Sequence, residues 1–566
     1  MFKPASKFSL LLIAALAMSA FVCRDSAAQI RVDWPQGAGP NGDWSAVGPE
    51  PPLEFSVRTG KNILWRTPLP ETGQGGIAVF GDKLFVATMA PWDEKNALSE
   101  ADAKKFHHAT EGRKVVGKDI DAHCLDVKTG KILWTRRISG EVPSIYSYPF
   151  SDATSASPVT DGSHVWFTNG SGCVTCFTVA GEKVWERRYT PTFDGPFNKQ
   201  FEPFLITDPG KFRDGNDPQG GRRSVFVHME PNEKGWNYLV GLDGSTGKVL
   251  WRSEDALTHY NAPTLQWAGG ELSILHARGG PHAVPERPVG LSRTAVIGLD
   301  GIQNGAGLFP VKDGAGRSLA RFEDPRGNHG ASLHTMTHDA NYVYWVLKKP
   351  RSAVAVLGAE NLDERKEIAL DKGVKRTWRD TESGEFKTEV QDLEKGVFPA
   401  RYSTIAANDF LYFQCYATAW GKPSLDPPYS FGRVNPATGE VAYMEVPTGV
   451  TRNESGDQFV WRTKQSARAL NSRGVEVTGD DRSHWDGWDW VFNGSPTRVN
   501  NRLYFTLASG LVYVLDANAT EFDEHALLAV NDLGNAGEVW TANSISYANG
   551  RLYHRTAAEL ICVGAE

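Results

Sequence analysis

Apolar residues in this chain come in short runs cut by glycine, asparagine or aspartate. Examples are KLFVATM (Lys83–Met89), HVWFT (His164–Thr168) and YVYWVL (Tyr342–Leu347). Each is too short for a buried helix and rich in β-branched and aromatic residues, which predicts strands covered on both faces. A tight turn joins many of these runs to a shorter apolar run upstream, as in TLQWAGGELSILH (Thr264–His276), PTRVNNRLYFTLA (Pro496–Ala508) and SISYANGRLYHRT (Ser544–Thr556). Turns of Gly, Asn and Asp tolerate positive φ, so these pairs read as hairpins. A different pattern follows them. DVKTGKILW (Asp126–Trp134), DGSTGKVLW (Asp243–Trp251), NPATGEVAY (Asn435–Tyr443) and RTGKNILW (Arg58–Trp65) each place a Thr-Gly turn before a strand ending in an aromatic residue. VAGEKVW, ending at Trp185, is a worn copy.

The repeat therefore holds four strands: an inner strand A, a tight turn, strand B, a variable connection, strand C, the Thr-Gly turn and an outer strand D. The first unit reads as Ile77–Phe80, Lys83–Met89, Ala122–Asp126 and Ile132–Arg136. The second reads as Ser157–Thr160, His164–Thr168, Val174–Thr178 and Lys183–Arg187. The count reaches eight. The last unit, Ser544 to Val563, lacks a D strand, while an orphan D-like strand, Asn62 to Pro70, precedes the first. Pairing the two closes a ring and leaves no open sheet edge. The expected fold is all-β, an eight-bladed β-propeller forming one domain over 29–566. Insertions are expected at about 91–118, 209–223, 371–398 and 447–491.

Composition agrees with many short strands joined by turns: 57 glycines and 32 prolines among 566 residues, with 18 tryptophans. A net charge of −7 argues against a nucleic-acid partner. Lys3 and Lys7 precede an apolar run from Phe8 to Val22, and Ser26-Ala27-Ala28 offers a cleavage site, so 1–28 reads as a secretory signal. The protein is thus expected in the periplasm or outside the cell, without a transmembrane segment, as a monomer. Cys124, Cys176 and Cys562 fall at the same point of the repeat, which predicts buried thiols rather than a disulfide framework. Cys173 and Cys176, three apart on one strand, would face opposite ways.

LDVKTGKILW and LDGSTGKVLW resemble the tryptophan-docking repeats of the pyrroloquinoline-quinone (PQQ)-like propellers, and the opening WPQGAGPNGDW is similar to that of secreted bacterial members. The resemblance implies the fold. It embraces quinoprotein alcohol dehydrogenases, outer-membrane assembly scaffolds and proteins without assigned activity, so it does not select a chemistry. The dehydrogenases carry two adjacent cysteines, a tryptophan floor and a calcium site beside the quinone. This chain has no Cys-Cys pair, which argues against PQQ as its cofactor. A divalent cation held by several blades would leave no local motif, so a metal stays open.

Connection lengths point to one face. B–C and D–A connections emerge on the same side of a propeller, and most of the long ones here are of those kinds. One-sided elaboration marks the binding face of a repeat array. The first residues of the A strands rise to that face around the channel: Gln74, Asp152 with Ser155, Glu202, His259 with Asn261, His329, Arg401 with Tyr402, Asn493 and Trp540. Such convergent polar groups suit a carbohydrate or other polar ligand. On an acidic or modified glycan, Arg401 and Asn261 would neutralise a carboxylate, His329 or His259 would exchange a proton, and Tyr402 would assist, as a lyase requires. Asp152 and Glu202 are the carboxylates a hydrolase would need. Asn493 and Trp540 complete the binding set. Trp485 and Trp488 in HWDGWDW offer rings for stacking on sugars. Two alternatives remain: a noncatalytic propeller binding a glycan or protein on this face, and a PQQ-dependent oxidoreductase.

Overall fold

The computed structural model describes residues 32–93, 116–147, 151–191, 201–207, 224–233, 235–257, 262–279, 305–310, 318–324, 326, 334–347, 351–394, 397–416, 425–453, 456–464, 467–477, 488, 493–535 and 537–565. They form an eight-bladed β-propeller. Blades 1 to 7 span 78–138, 159–188, 204–257, 264–323, 337–369, 399–445 and 497–532, each an antiparallel sheet in sequence order. Blade 8 takes strands A to C from Ser546–Ala548, Arg551–Arg555 and Glu559–Val563. Its D strand is Ile63–Pro68, paired antiparallel with Glu559–Val563. Arg66 clasps Glu559 through two hydrogen bonds of 2.8 and 2.6 Å at this seam. The expected closure is present, and the observed strands of blades 1 and 2 begin and end within two residues of those expected.

The recurring Thr-Gly turn and terminal tryptophan meet across blades. The indole N–H of Trp134, on blade 1, donates to the Val179 carbonyl in the turn of blade 2 at 3.1 Å. Trp185 of blade 2 reaches Gly244 of blade 3 at 2.8 Å. The turn glycines have positive φ, 88° at Gly181 and 68° at Gly247. A β-carbon added there would stand 2.9 Å from the Trp134 ring and 2.7 Å from the Trp185 ring. Glycine is thus required twice over, for the backbone and for the neighbouring indole. Blades 1 and 2 thus each carry the plug for the next blade's socket.

The five described cysteines are buried and unbridged. Cys173 packs with Phe85 and Phe167, while Cys176 packs on the other sheet face with Trp166 and Phe226. Burial pushes the Cys124 and Cys562 thiols up to about 12.

Two features were not legible as strands of the repeat. The opening segment is a strap across the A–B-turn end of the channel. Trp34 exchanges two backbone hydrogen bonds with Val79 of blade 1, and the Pro35 carbonyl accepts from Thr160 of blade 2. The Gln36 side chain accepts from Leu205 of blade 3, and the Gly42 carbonyl accepts from Leu265 of blade 4. Ser45–Ala46 then pairs in parallel with the A strand of blade 7. The insertion at 371–398, in turn, supplies a hairpin, Val374–Arg379 and Phe386–Gln391, that widens blade 6 by pairing in parallel with its D strand. The 447–491 connection starts with the hairpin Gly449–Asn453 and Gly456–Val460. Farther along it reaches blade 1, where Asn471 and Arg473 hold the buried Glu71 carboxylate at 3.2 and 2.8 Å. The 209–223 insertion lies outside the described residues, as does 94–115 of the first.

Candidate functional site

Inner strands converge at their starts, and hydroxyl and amide side chains stitch them together there. Thr264 donates to Met336 of the next blade at 2.7 Å, Thr497 to Ile545 at 2.6 Å and Ser546 to Ile77 at 2.7 Å. Thr335 of blade 5 bonds the Tyr402 carbonyl of blade 6 and the Ser495 hydroxyl of blade 7, each at 3.0 Å. Small donors suit this place because the strands approach too closely for long side chains. A Ser or Thr near the start of the A strands of blades 2 and 4 to 8 was the sequence signal for this collar.

One sector of the collar, between blades 8, 1 and 2, holds buried charge. The Gln74 amide N–H donates to Thr154 at 2.8 Å, and Ser155 donates to the Gln74 side-chain oxygen at 3.0 Å. Asp152 accepts from the Thr154 backbone at 2.8 Å and its hydroxyl at 2.6 Å through Oδ1. Across from it, Asn543 and Arg555 donate to the Gly75 carbonyl at 2.9 and 3.3 Å, and Arg555 also to Ala87 at 2.6 Å. Burial pulls the Arg555 guanidinium down to about 10, with Asp152 opposing. Burial also raises the Asp152 carboxyl, against its bonds from Thr154. Several buried atoms here have no hydrogen-bond partner among the described residues: Asp152 Oδ2, Asn543 Oδ1, and Arg555 Nε and Nη2. Arg555 was missed by reasoning from A-strand starts, because it ends a B strand. Its signal was a charge closing the otherwise buried run Leu552–His554.

Glu202 lies against the strap, where a β-carbon on Gly37 would strike its carboxyl. Burial pushes this carboxyl up to about 7, against hydrogen bonds from Ser157. Arg401 and Tyr402 are partly buried, and Tyr402 packs with Trp44 and Phe201 at the channel centre. Burial lowers the Arg401 guanidinium, with Tyr416 and Tyr402 opposing. Asn493 is buried and donates to Gln414 at 3.1 Å, leaving its Oδ1 without a partner among the described residues.

The two described tryptophans of the expected set do not offer the ring faces expected of them. Trp488 is enclosed by Tyr429, Phe431 and Tyr513 and donates to the Cys415 carbonyl at 2.9 Å. Trp540 is packed among Ala467, Ala469, Ala508 and Ala557, two of them from the long connection before blade 7. Core packing occupies both indole faces, so neither can stack on a sugar in this conformation. His259, Asn261, His329 and Trp485 lie outside the described residues. Among the described residues, Asp523, Glu524 and His525 could together reach one metal ion, but Asp523 caps the short helical turn Glu524–Ala526 in a C–D connection, remote from the collar in the fold.

Residues 118–287, less than a third of the chain, match the family model of the outer membrane protein assembly factor BamB. The chain is an eight-bladed β-propeller. Comparison with curated proteins gives no match. Among solved structures it is similar to the quinohemoprotein alcohol dehydrogenase from Comamonas testosteroni, at 11% identity and a TM-score of 0.46 over 96% of this chain and 82% of that one. A europium-containing methanol dehydrogenase aligns at 9% identity and 0.44, over 92% and 89%. BamB from Moraxella catarrhalis aligns at 12% and 0.31, over 72% and 94%. Similarity at this level speaks to neither ligand nor chemistry. The quinone cradle implied by the resemblance is not met by the residues described: the cysteines are buried with no two adjacent, and Trp488 is sealed in the core.

Proposed function

We propose that this PQQ-like propeller, exported to the periplasm or beyond, binds a polar, acidic or modified glycan at the collar on its elaborated face. The observation that carries this reading is the mixture of unfilled groups around Asp152 and Arg555. Asp152 Oδ2 and Asn543 Oδ1 accept, while Arg555 Nε and Nη2 donate. A sugar hydroxyl both donates and accepts, so one such group can serve a carboxylate and a guanidinium together, and burial makes unmet groups costly. Arg401 adds a cation for a ligand carboxylate.

Processing of that glycan is the second reading, favoured by Glu202. A carboxyl pushed to about 7 can hold or release a proton at neutral pH, as acid–base catalysis needs. His329 and His259 are the other proton carriers proposed for it. A noncatalytic binding propeller uses the same collar without turnover.

The test is calorimetric titration of the mature protein with uronate-bearing, sulfated and neutral oligosaccharides, with unsaturated and reducing ends followed in parallel. Binding of an acidic oligosaccharide, weakened in Asn543→Asp and Arg401→Ala, supports the reading. Failure of every oligosaccharide to bind overturns it. New ends that vanish in Glu202→Gln or His329→Ala mark an enzyme; binding without new ends marks a binding module.

A further inference from the structure

A cavity of about 500 Å³ lies between the strap and the inner strands of blades 4 to 7, with the A–B turns of blades 5 and 6 at its rim. This is the size of a small-ligand pocket. Its floor includes Gln266, which is 5% exposed. The Gln266 amide donates to the Ala359 carbonyl at 2.6 Å, and its Oε1 is buried without a hydrogen-bond partner among the described residues. Trp267, next in sequence and on the rim, is 58% exposed although the strand carrying it is otherwise well covered.

The cavity's donors are already engaged with its own walls. Arg498 gives Nη2 to Asn408 and Nε to the Asn500 carbonyl, both at 2.9 Å. The His338 ring is held by the same walls, with Nε2 3.0 Å from the Leu265 carbonyl and Nδ1 3.4 Å from the Asp339 carbonyl. The acceptors are in excess: Asp43 from the strap, Asp339 and Asp409 from two A–B turns, and the Gln266 oxygen. Asp339 already takes two backbone N–H groups and the Tyr344 hydroxyl, whereas Asp409 is exposed and makes no hydrogen bond or ion pair among the described residues. Three carboxylates face one committed guanidinium. The remaining chemistry is acceptor-rich, negative and bordered by an indole.

We infer that this cavity is a binding site for a protonated primary amine carried on a small hydroxylated or aliphatic body. The ammonium would donate to Asp409 and the Gln266 oxygen, and its body would lie against Trp267, whose ring also attracts a cation. The site shares Thr264 and Thr335 with the collar but lies in a different sector of the channel from Asp152, Asn543 and Arg555. An amino sugar and a linear diamine share this chemistry and differ in what they lay on the indole.

The experiment is isothermal titration of the full mature protein with glucosamine, putrescine and, as the uncharged control, N-acetylglucosamine. Trp267→Ala and Asp409→Asn alter exposed side chains, and their melting curves establish that the fold is kept. The expected result is binding of glucosamine or putrescine, at least tenfold weaker for N-acetylglucosamine, and weakened about fivefold or more by each substitution. Glucosamine alone binding identifies a sugar source; both amines binding identifies the ammonium as the recognised group. The inference is overturned if neither amine binds at millimolar concentration, if the acetylated sugar binds equally well, or if both variants bind like the parent.

Discussion

The indole of Trp65 donates its N–H to the Val127 carbonyl at 3.0 Å, although 62 residues separate them. The ring rests on Gly130, where a β-carbon would approach it to 2.5 Å. Trp65 belongs to the D strand of the last blade and Gly130 to the turn of the first, so this contact fastens the ends of the ring with the same device that joins blades 1 to 2 and 2 to 3.

Trp65→Ala should therefore cost about 2–3 kcal/mol, since it removes a large half-buried ring and a hydrogen bond at the closure. Removing residues 29–70 should do more, abolishing cooperative unfolding by stripping both the D strand and the strap. Denaturant melts with Trp267→Ala as an exposed control, expected within about 0.5 kcal/mol of the parent, check both. A truncated chain that melts like the parent would show that the seam is dispensable.

The cysteines should ignore thiol reagents until the protein unfolds. The five described cysteines are all buried, and a thiol pushed up to about 11 at Cys173 or 12 at Cys124 holds almost no thiolate at neutral pH. A chromogenic thiol titration should read none in buffer and five in denaturant. A Cys173–Cys176 disulfide found by mass spectrometry would contradict this.

Glu202 should give the fold a pH dependence of its own. Its carboxyl is raised to about 7, so between the ordinary glutamate value and 7 the unfolded chain ionises while the folded chain keeps the proton. Stability from this group is then greatest below the ordinary value and falls as pH rises through that window, reaching its floor above about 7. Glu202→Gln should flatten that part of a stability–pH curve. An unchanged curve would mean the carboxyl ionises normally.

Glu230 should act in the opposite direction. Burial alone would raise this carboxyl, but the paired hydrogen bonds from Arg187, with the His228 ring close by, outweigh it and hold it well below its usual range. Its contribution is present above the ordinary glutamate value and is lost as pH falls below it. Glu230→Gln leaves Arg187 and Arg252 without their shared anion and should cost about 2 kcal/mol at neutral pH, less in acid. Urea midpoints at two pH values measure the difference.

Arg401→Ala should weaken an acidic oligosaccharide about tenfold or more while leaving a neutral one unchanged, if its partly buried guanidinium meets a carboxylate. Equal loss for both ligands would assign Arg401 to the scaffold.

Local signals determined the architecture here. A glycine that must take positive φ, an apolar run short enough to be one strand, and a tryptophan at a fixed distance after the turn are each decided by a few neighbouring residues. Recurring along the chain, they yielded the blades, the closure through Ile63–Pro68 and the buried fate of Cys124, Cys176 and Cys562. Tertiary structure decided what no neighbour could. Whether Trp488 or Trp540 shows a ring face depends on which remote segment covers it, and both were covered. The strap from Trp34 to Ala46 has no strand pattern because it borrows hydrogen bonds from five different blades. Arg555 and Asp152 are far apart in sequence and lie in reach only because the ring closes. A propeller's channel is lined by one short stretch from each blade, so its chemistry is an intersection of distant segments, and that intersection exists only in the folded chain.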